Sequence, residues 1–239
     1  MGDEMMSMDT IINRQFDIAN NQADVIPLPK YKIYAMCNLR GGIGKTTLSF
    51  NLSYLVDNLL AVDTCPQGNL SYFYDKDYYA GNQTNVKDML LPYLVPGLGK
   101  ATRVASYIGA TNQYFSDRNN YYIPSSEELY LLPSQLITAI NQTAGLQQAQ
   151  KEQALKSILY SLETEIKREL AENSLDKCII DTSPFFAGAT QLAWYAADAL
   201  VIPVRTDQQS IKSLELLINT LTNPQSEFRK HLPENDLNV

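Results

Sequence analysis

The sequence holds a single histidine, His231, and three cysteines, Cys37, Cys65 and Cys178, none of them in a Cys-x-x-Cys pair. One histidine argues against Ser–His or Cys–His catalysis and against a histidine-rich metal site. The cysteine spacing gives no disulfide framework, so three buried, reduced thiols near strand ends are expected. No apolar run reaches the roughly 18–20 residues needed to span a bilayer. The first residues lack the basic-then-apolar layout of a secretory signal, which makes a cytoplasmic location the default. Positive charge is also scarce, with 19 Lys+Arg against 26 Asp+Glu and a net charge of −7. A chain this acidic is not broadly attractive to nucleic acid, and no local basic patch stands out to reverse that.

What is present centres on residues 38–47, Asn-Leu-Arg-Gly-Gly-Ile-Gly-Lys-Thr-Thr. They follow an apolar run (Ile33, Tyr34, Ala35, Met36, Cys37) and precede an apolar-periodic segment (Leu48, Phe50, Leu52, Leu55, Val56). Strand, glycine turn and helix in that order form the setting of a phosphate-binding loop. The glycines let backbone N–H groups curl around an anion. The helix start adds its positive dipole end and Lys45 a full charge. Thr46 is placed to offer its hydroxyl to Mg²⁺. The spacing departs from the ordinary loop: where that pattern has its first glycine stands Leu39, and a basic residue, Arg40, directly precedes Gly41-Gly42-Ile43-Gly44-Lys45-Thr46-Thr47.

A second signal lies downstream. Leu59–Asp63 reads as a short buried strand ending in a carboxylate, and Thr64-Cys65-Pro66-Gln67-Gly68-Asn69 follows it. Loop and turn together resemble the ParA/MinD family of deviant Walker A partition ATPases, in its ParA-like branch. In that family the loop opens on a signature lysine, replaced here by Arg40, and the second motif reads Asp-x-Asp-Pro-Gln-Gly-Asn, whose second aspartate is Cys65 here. The resemblance implies an α/β fold: a mostly parallel sheet with helices on both faces, carrying a P-loop. It implies ATP and Mg²⁺ as ligands, and an ATP-sandwich homodimer serving plasmid or chromosome partition or cargo positioning. It further implies a ParB-like or cargo adaptor protein as partner, with non-specific DNA as a further candidate. By the same resemblance Lys45, Arg40, Asp63 and Cys65 stand at the catalytic positions, Arg40 reaching across the dimer. Thr46, Asp63 and Asp181 surround the metal, and Pro203, Val204 and Arg205 line the adenine pocket. Cys65 departs from the carboxylate thought to polarise the attacking water. A thiol is a weak donor and acceptor, and losing a positioned base costs about 10²–10⁴ in rate. A nucleotide-binding scaffold with little or no hydrolysis is therefore the alternative.

Taken in order, residues 1–30 read as a polar arm ending in Pro27-Leu28-Pro29, in which Ile11, Ile12, Phe16 and Ile18 form at most one amphipathic turn. Residues 31–239 form the nucleotide-binding domain. Asn85–Leu91 suggests a short helix ended by Pro92, and the tyrosines between 72 and 122 suggest packing or a protein-facing surface. Glu128–Leu132 reads as a strand before Pro133-Ser134, matching a strand and Pro-Ser-like turn in the family. Gln147–Asn173 is the clearest helix, with Leu155, Ile158, Leu159, Leu162, Ile166 and Leu170 on one face. Cys178–Thr182 is a strand ending in Asp181, placed to hold a Mg²⁺-bound water or the Thr46 hydroxyl; capping of the next turn is the alternative. A helix at Ala187–Ala197, a strand at Ala199–Arg205 and a helix at Gln208–Leu221 complete the reading. Members of the family continue with another strand and C-terminal helices, a part this sequence is expected to lack.

Overall fold

The computed structural model of this chain describes residues 8–23, 30–80, 83–99, 103–186, 188–226 and 228–229. Two units separate, residues 1–30 and 31–239. In the first, α1 spans Met8–Ala19. It ends where Asn21 takes a left-handed conformation (φ 55°), a residue type that tolerates it, while Gln22 N–H donates to Asp17 C=O at 2.7 Å. The expected arm is therefore helical over most of its described length. Pro27 to Pro29 lie outside the described residues.

The second unit alternates strands and helices: β1 (Ile33–Met36), α2 (Lys45–Leu55), β2 (Leu59–Asp63), α3 (Asn69–Tyr74), α4 (Val86–Leu94), β3 (Ser106–Tyr107) and β4 (Tyr121–Ile123). It continues through α5 (Leu132–Gln142), α6 (Gln148–Leu159), α7 (Ser161–Glu172), β5 (Lys177–Asp181), α8 (Ala189–Ala196), β6 (Ala199–Val201) and α9 (Gln208–Thr222). The described strands make one sheet in the order β3-β4-β2-β5-β1-β6, parallel except for β3 against β4. The central strands are apolar on both faces, as a sheet covered on both sides requires. Ile33, Ala35, Leu60, Val62, Cys178 and Ile180 enter one core with α4, α5, α7 and α8 residues. Met36, Leu59, Ala61 and Ile179 enter another with Leu70, Tyr74, Phe115 and Tyr122. The expected α/β fold with a mostly parallel sheet is what forms.

Four local expectations are corrected. The stretch 128–132 is not a strand: Glu127–Leu131 is a 3-10 turn leading into α5, where Pro133 sits in the first helical turn and its missing N–H costs nothing. The strand followed by Pro-Ser lies earlier, at β4 with Pro124-Ser125. The long helix breaks at Tyr160 (φ −97°, ψ 16°) into α6 and α7, although nothing in the local sequence marks the break. Pro92 lies inside α4, which closes only with Val95 N–H on Leu91 C=O at 2.9 Å. The expected strand at 199–205 pairs only through Val201, since β1 ends at Met36 and Pro203 has no N–H to offer a ladder. The tyrosines divide: Tyr74 and Tyr122 are buried with rings 5.3 Å apart, while Tyr72 and Tyr79 are exposed.

Candidate nucleotide-binding site

The carboxyl ends of β1, β2 and β5 lie side by side, and every chemistry-bearing motif of the sequence sits there. Between β1 and α2 the chain turns through Gly42 (φ 70°) and Gly44 (φ 94°), conformations that side chains resist. A Cβ placed on Gly41, Gly42 or Gly44 would meet no atom within 4 Å, so the loop borders open space. Gly44 is the N-cap of α2, and no side chain caps that end. The first-turn N–H groups and the positive end of the helix dipole are thus left for an anion. Lys45 is buried, and its ammonium donates to the carbonyls of Asn38 and Arg40, both at 3.1 Å. Burial lowers its pKa, while Asp181, Cys65 and Cys37 oppose that shift.

Two carboxylates meet beneath the loop, from residues paired in register across β2 and β5. Asp181 accepts from the Thr46 hydroxyl at 2.7 Å and from the Ser49 hydroxyl at 2.9 Å. Asp63 accepts from the Ser71 N–H and hydroxyl, both at 2.8 Å, and from the Cys65 N–H at 3.1 Å. Burial raises both carboxyl pKa values, that of Asp63 to about 7 with Asp181 adding to the rise; Thr46, Ser49 and Lys45 pull Asp181 back. No cluster of three or more His, Cys, Asp or Glu side chains suited to a metal occurs among the described residues. A hydroxyl backed by one carboxylate fits Mg²⁺, which takes few protein oxygens and fills its shell from phosphate and water.

Cys65 is buried, as are the other two thiols, all free. Its carbonyl accepts from the Ser125 hydroxyl at 2.5 Å, and Ser125 N–H donates to the Ser71 hydroxyl at 2.9 Å. Burial pushes the Cys65 thiol up to about 11, so it is neutral near pH 7. Gly68 takes a left-handed backbone that side chains resist (φ 63°), and a Cβ there would lie 1.8 Å from the Tyr78 hydroxyl, so Tyr78 would have to shift.

Arg40 is turned toward its own chain. Its guanidinium pairs with Asp207 and donates to the Ser210 hydroxyl at 2.8 Å. Asp207 is the N-cap of α9, accepting from Ser210 N–H at 3.0 Å, and this bond foremost holds its carboxyl below the usual range. The β6–α9 connection grips the loop elsewhere too. Asn38 donates to Pro203 C=O at 3.0 Å and accepts from the Ser213 hydroxyl at 2.7 Å, while Arg205 donates to Gly42 C=O at 2.6 Å. Val204 is exposed. Gly41 to Thr47, Asp63, Cys65, Asp181 and Arg205 therefore gather at one place, with Ile43 half-buried and Thr47 exposed.

Sequence reasoning missed Ser49, Ser71, Asp207 and Ser210. Ser49 was accessible, since it lies on the same helix face as Lys45 and Thr46. Asp207 three residues before Ser210 has the form of a helix N-cap. Ser71 carries no such signal.

The family model described as an AAA domain matches residues 31–233. The chain is 28% identical over 194 residues to the sporulation initiation inhibitor protein Soj of Bacillus subtilis, a match covering 80% of this chain and 64% of Soj. It is 28% identical over 201 residues to the maintenance of carboxysome distribution protein A of Gloeothece citriformis, covering 82% of this chain and 64% of that protein. Its fold is similar to that of a McdA–ATP complex from Cyanothece, with a TM-score of 0.56 at 24% identity, over 80% of this chain and 63% of the other. The chain thus spans less than two thirds of the length of these relatives. With the loop, the paired strand-end carboxylates and the sheet all in place, the chain belongs to this AAA-domain family and, within it, to the ParA/MinD partition ATPases.

Proposed function

We propose that this chain binds Mg·ATP, dimerises around it, and acts as a switch in partition or cargo positioning. The observation that carries the reading is the uncapped start of α2 behind an open glycine loop, with Thr46 already bonded to Asp181. Gly41, Gly42, Ile43, Gly44 and Thr47 supply backbone to the phosphates, and Lys45 leaves the carbonyls of Asn38 and Arg40 for the β- and γ-phosphates. Thr46 holds Mg²⁺, with Asp181 behind it and Asp63 alongside; the ion, when bound, neutralises charge on the phosphates. Pro203, Val204 and Arg205 border the base, and Arg40 reaches the partner's phosphates. The similarity to the carboxysome distribution protein supports a positioning role, with an adaptor protein or non-specific DNA as partner, in the cytoplasm. In titration calorimetry, Mg·ATP binding is expected for the wild type and lost, at least about 100-fold, in Lys45→Ala. Binding that is absent, or indifferent to that change, would remove the proposal.

A second reading, a nucleotide-sensing scaffold without turnover, is favoured by the buried, neutral Cys65 thiol. ATP turnover decides between the two. Slow or no turnover in the wild type with a gain of about 10²–10⁴ in Cys65→Asp supports the scaffold. Brisk wild-type turnover supports the ATPase.

A further inference from the structure

We infer that Asp207 and Ser210 are positioning residues that hold Arg40 on its own chain and must release it before its guanidinium meets a phosphate. The inference rests on the proposed role of Arg40 at a partner's phosphates. A guanidinium donates to carboxylate and phosphate oxygens alike, in the same forked geometry. Here one arm of the fork, Nη1, is already taken by the Asp207 carboxylate and the Ser210 hydroxyl. Asp207 and a nucleotide phosphate are therefore competitors for one side chain.

Three features make the pair an exchangeable latch and not a permanent strut. The side chains of Arg40 and Asp207 are 27% and 42% exposed, so solvent and salt weaken the pair and leave it open to displacement. Asp207 has a second task, capping α9 through Ser210 N–H, so the helix start survives the departure of Arg40. The backbone of Arg40 is also tied to α9 indirectly: its N–H donates to Asn38 Oδ1 at 2.9 Å, the atom that accepts from Ser213 at 2.7 Å. Moving Arg40 between acceptors thus changes how α9 is held against the phosphate loop. Nucleotide occupancy and the start of α9 become two readings of one equilibrium.

A pair that merely steadies the loop would weaken nucleotide binding when broken, whereas a restraining pair strengthens it. The sign separates the two roles. The test uses the full chain, with Asp207→Asn retaining an N-cap side chain. Binding of a fluorescent ATP analogue with Mg²⁺ and the dimer fraction by sedimentation are measured. The expected result is a half-maximal ligand concentration about two- to fivefold lower than wild type, the scale of a half-exposed ion pair. Ser210→Ala shifts it in the same direction by less, which covers the case in which Asp207→Asn fails to fold. In an Arg40→Gln background, Asp207→Asn has no effect. An unchanged or weakened affinity in Asp207→Asn, or a gain that persists without Arg40, overturns the latch. If the nucleotide binds but no dimer forms, the cross-dimer role of Arg40 falls and the latch falls with it, whatever the affinity of Asp207→Asn. If the wild type binds no Mg·ATP, both the latch and the functional reading fall.

Discussion

Asp63 and Asp181 end neighbouring strands, are paired in register, and are both almost wholly buried, yet they are bound in different ways. Asp181 is held by two side-chain hydroxyls of α2, Thr46 and Ser49, which can turn toward another partner. Asp63 is held by two backbone N–H groups and the Ser71 hydroxyl, which fasten it to the start of α3 and to the following turn. Sequence position makes the two aspartates look equivalent. Their partners divide them into one carboxylate held by releasable side chains, which the proposed function turns toward the metal, and one fastened mainly by backbone beside it.

The comparison can be broken by moving one aspartate's effect into the other's domain. Asp181→Asn keeps hydrogen-bonding capacity but removes the charge behind Thr46. It is expected to weaken Mg²⁺-dependent ATP binding about 10–100-fold, the usual cost of losing a group behind a metal ligand. ATP binding measured in chelator should change little; equal losses with and without Mg²⁺ would contradict the division. Ser71→Ala leaves part of the buried Asp63 carboxylate unsatisfied and is expected to cost about 1–2 kcal/mol of stability. For a chain of this size that is a fall of about 2–8 °C in Tm. Its ratio of ATP affinities with and without Mg²⁺ should stay at the wild-type value.

A third effect is in pH. The Asp63 carboxyl rises from 3.8 to about 7 on folding, so between these values the folded chain binds more protons than the unfolded one. Its contribution to stability is therefore present at low pH and lost as pH climbs toward 7. Without nucleotide or metal, chemical denaturation of Asp63→Asn should show a flatter pH dependence across that window than wild type. A steeper one would place the titration elsewhere.

How far the sequence announced all this depended on whether a signal was local. β2 and β5 are legible because a strand buried on both faces must be apolar at every position, and Leu59–Asp63 and Cys178–Asp181 are nearly so. The loop is legible because anion binding by backbone demands glycine at particular places. The Leu129–Leu132 run misled because a short apolar stretch suits a strand or a helix start equally. The true strand, β4, is three residues long and is marked mainly by the Pro124-Ser125 that follows it. Two pairings, Ser71 with Ser125 and Arg40 with Asp207, were invisible for a different reason. The paired residues lie 54 and 167 positions apart along the chain, and no periodicity carries such a pairing.

The bonds around Cys65 carry a consequence for how this lineage can change. Asp63, Cys65, Ser125 and Ser71 form a closed circuit that joins the ends of β2 and β4 to α3. Residue 65 enters that circuit only through its N–H and C=O, which every amino acid but proline supplies. The side chain at 65 can therefore vary while its backbone stays anchored. Under the proposed function, a clock that sets how long the nucleotide is kept can be slowed or restarted by one substitution, without rebuilding the compartment that keeps it.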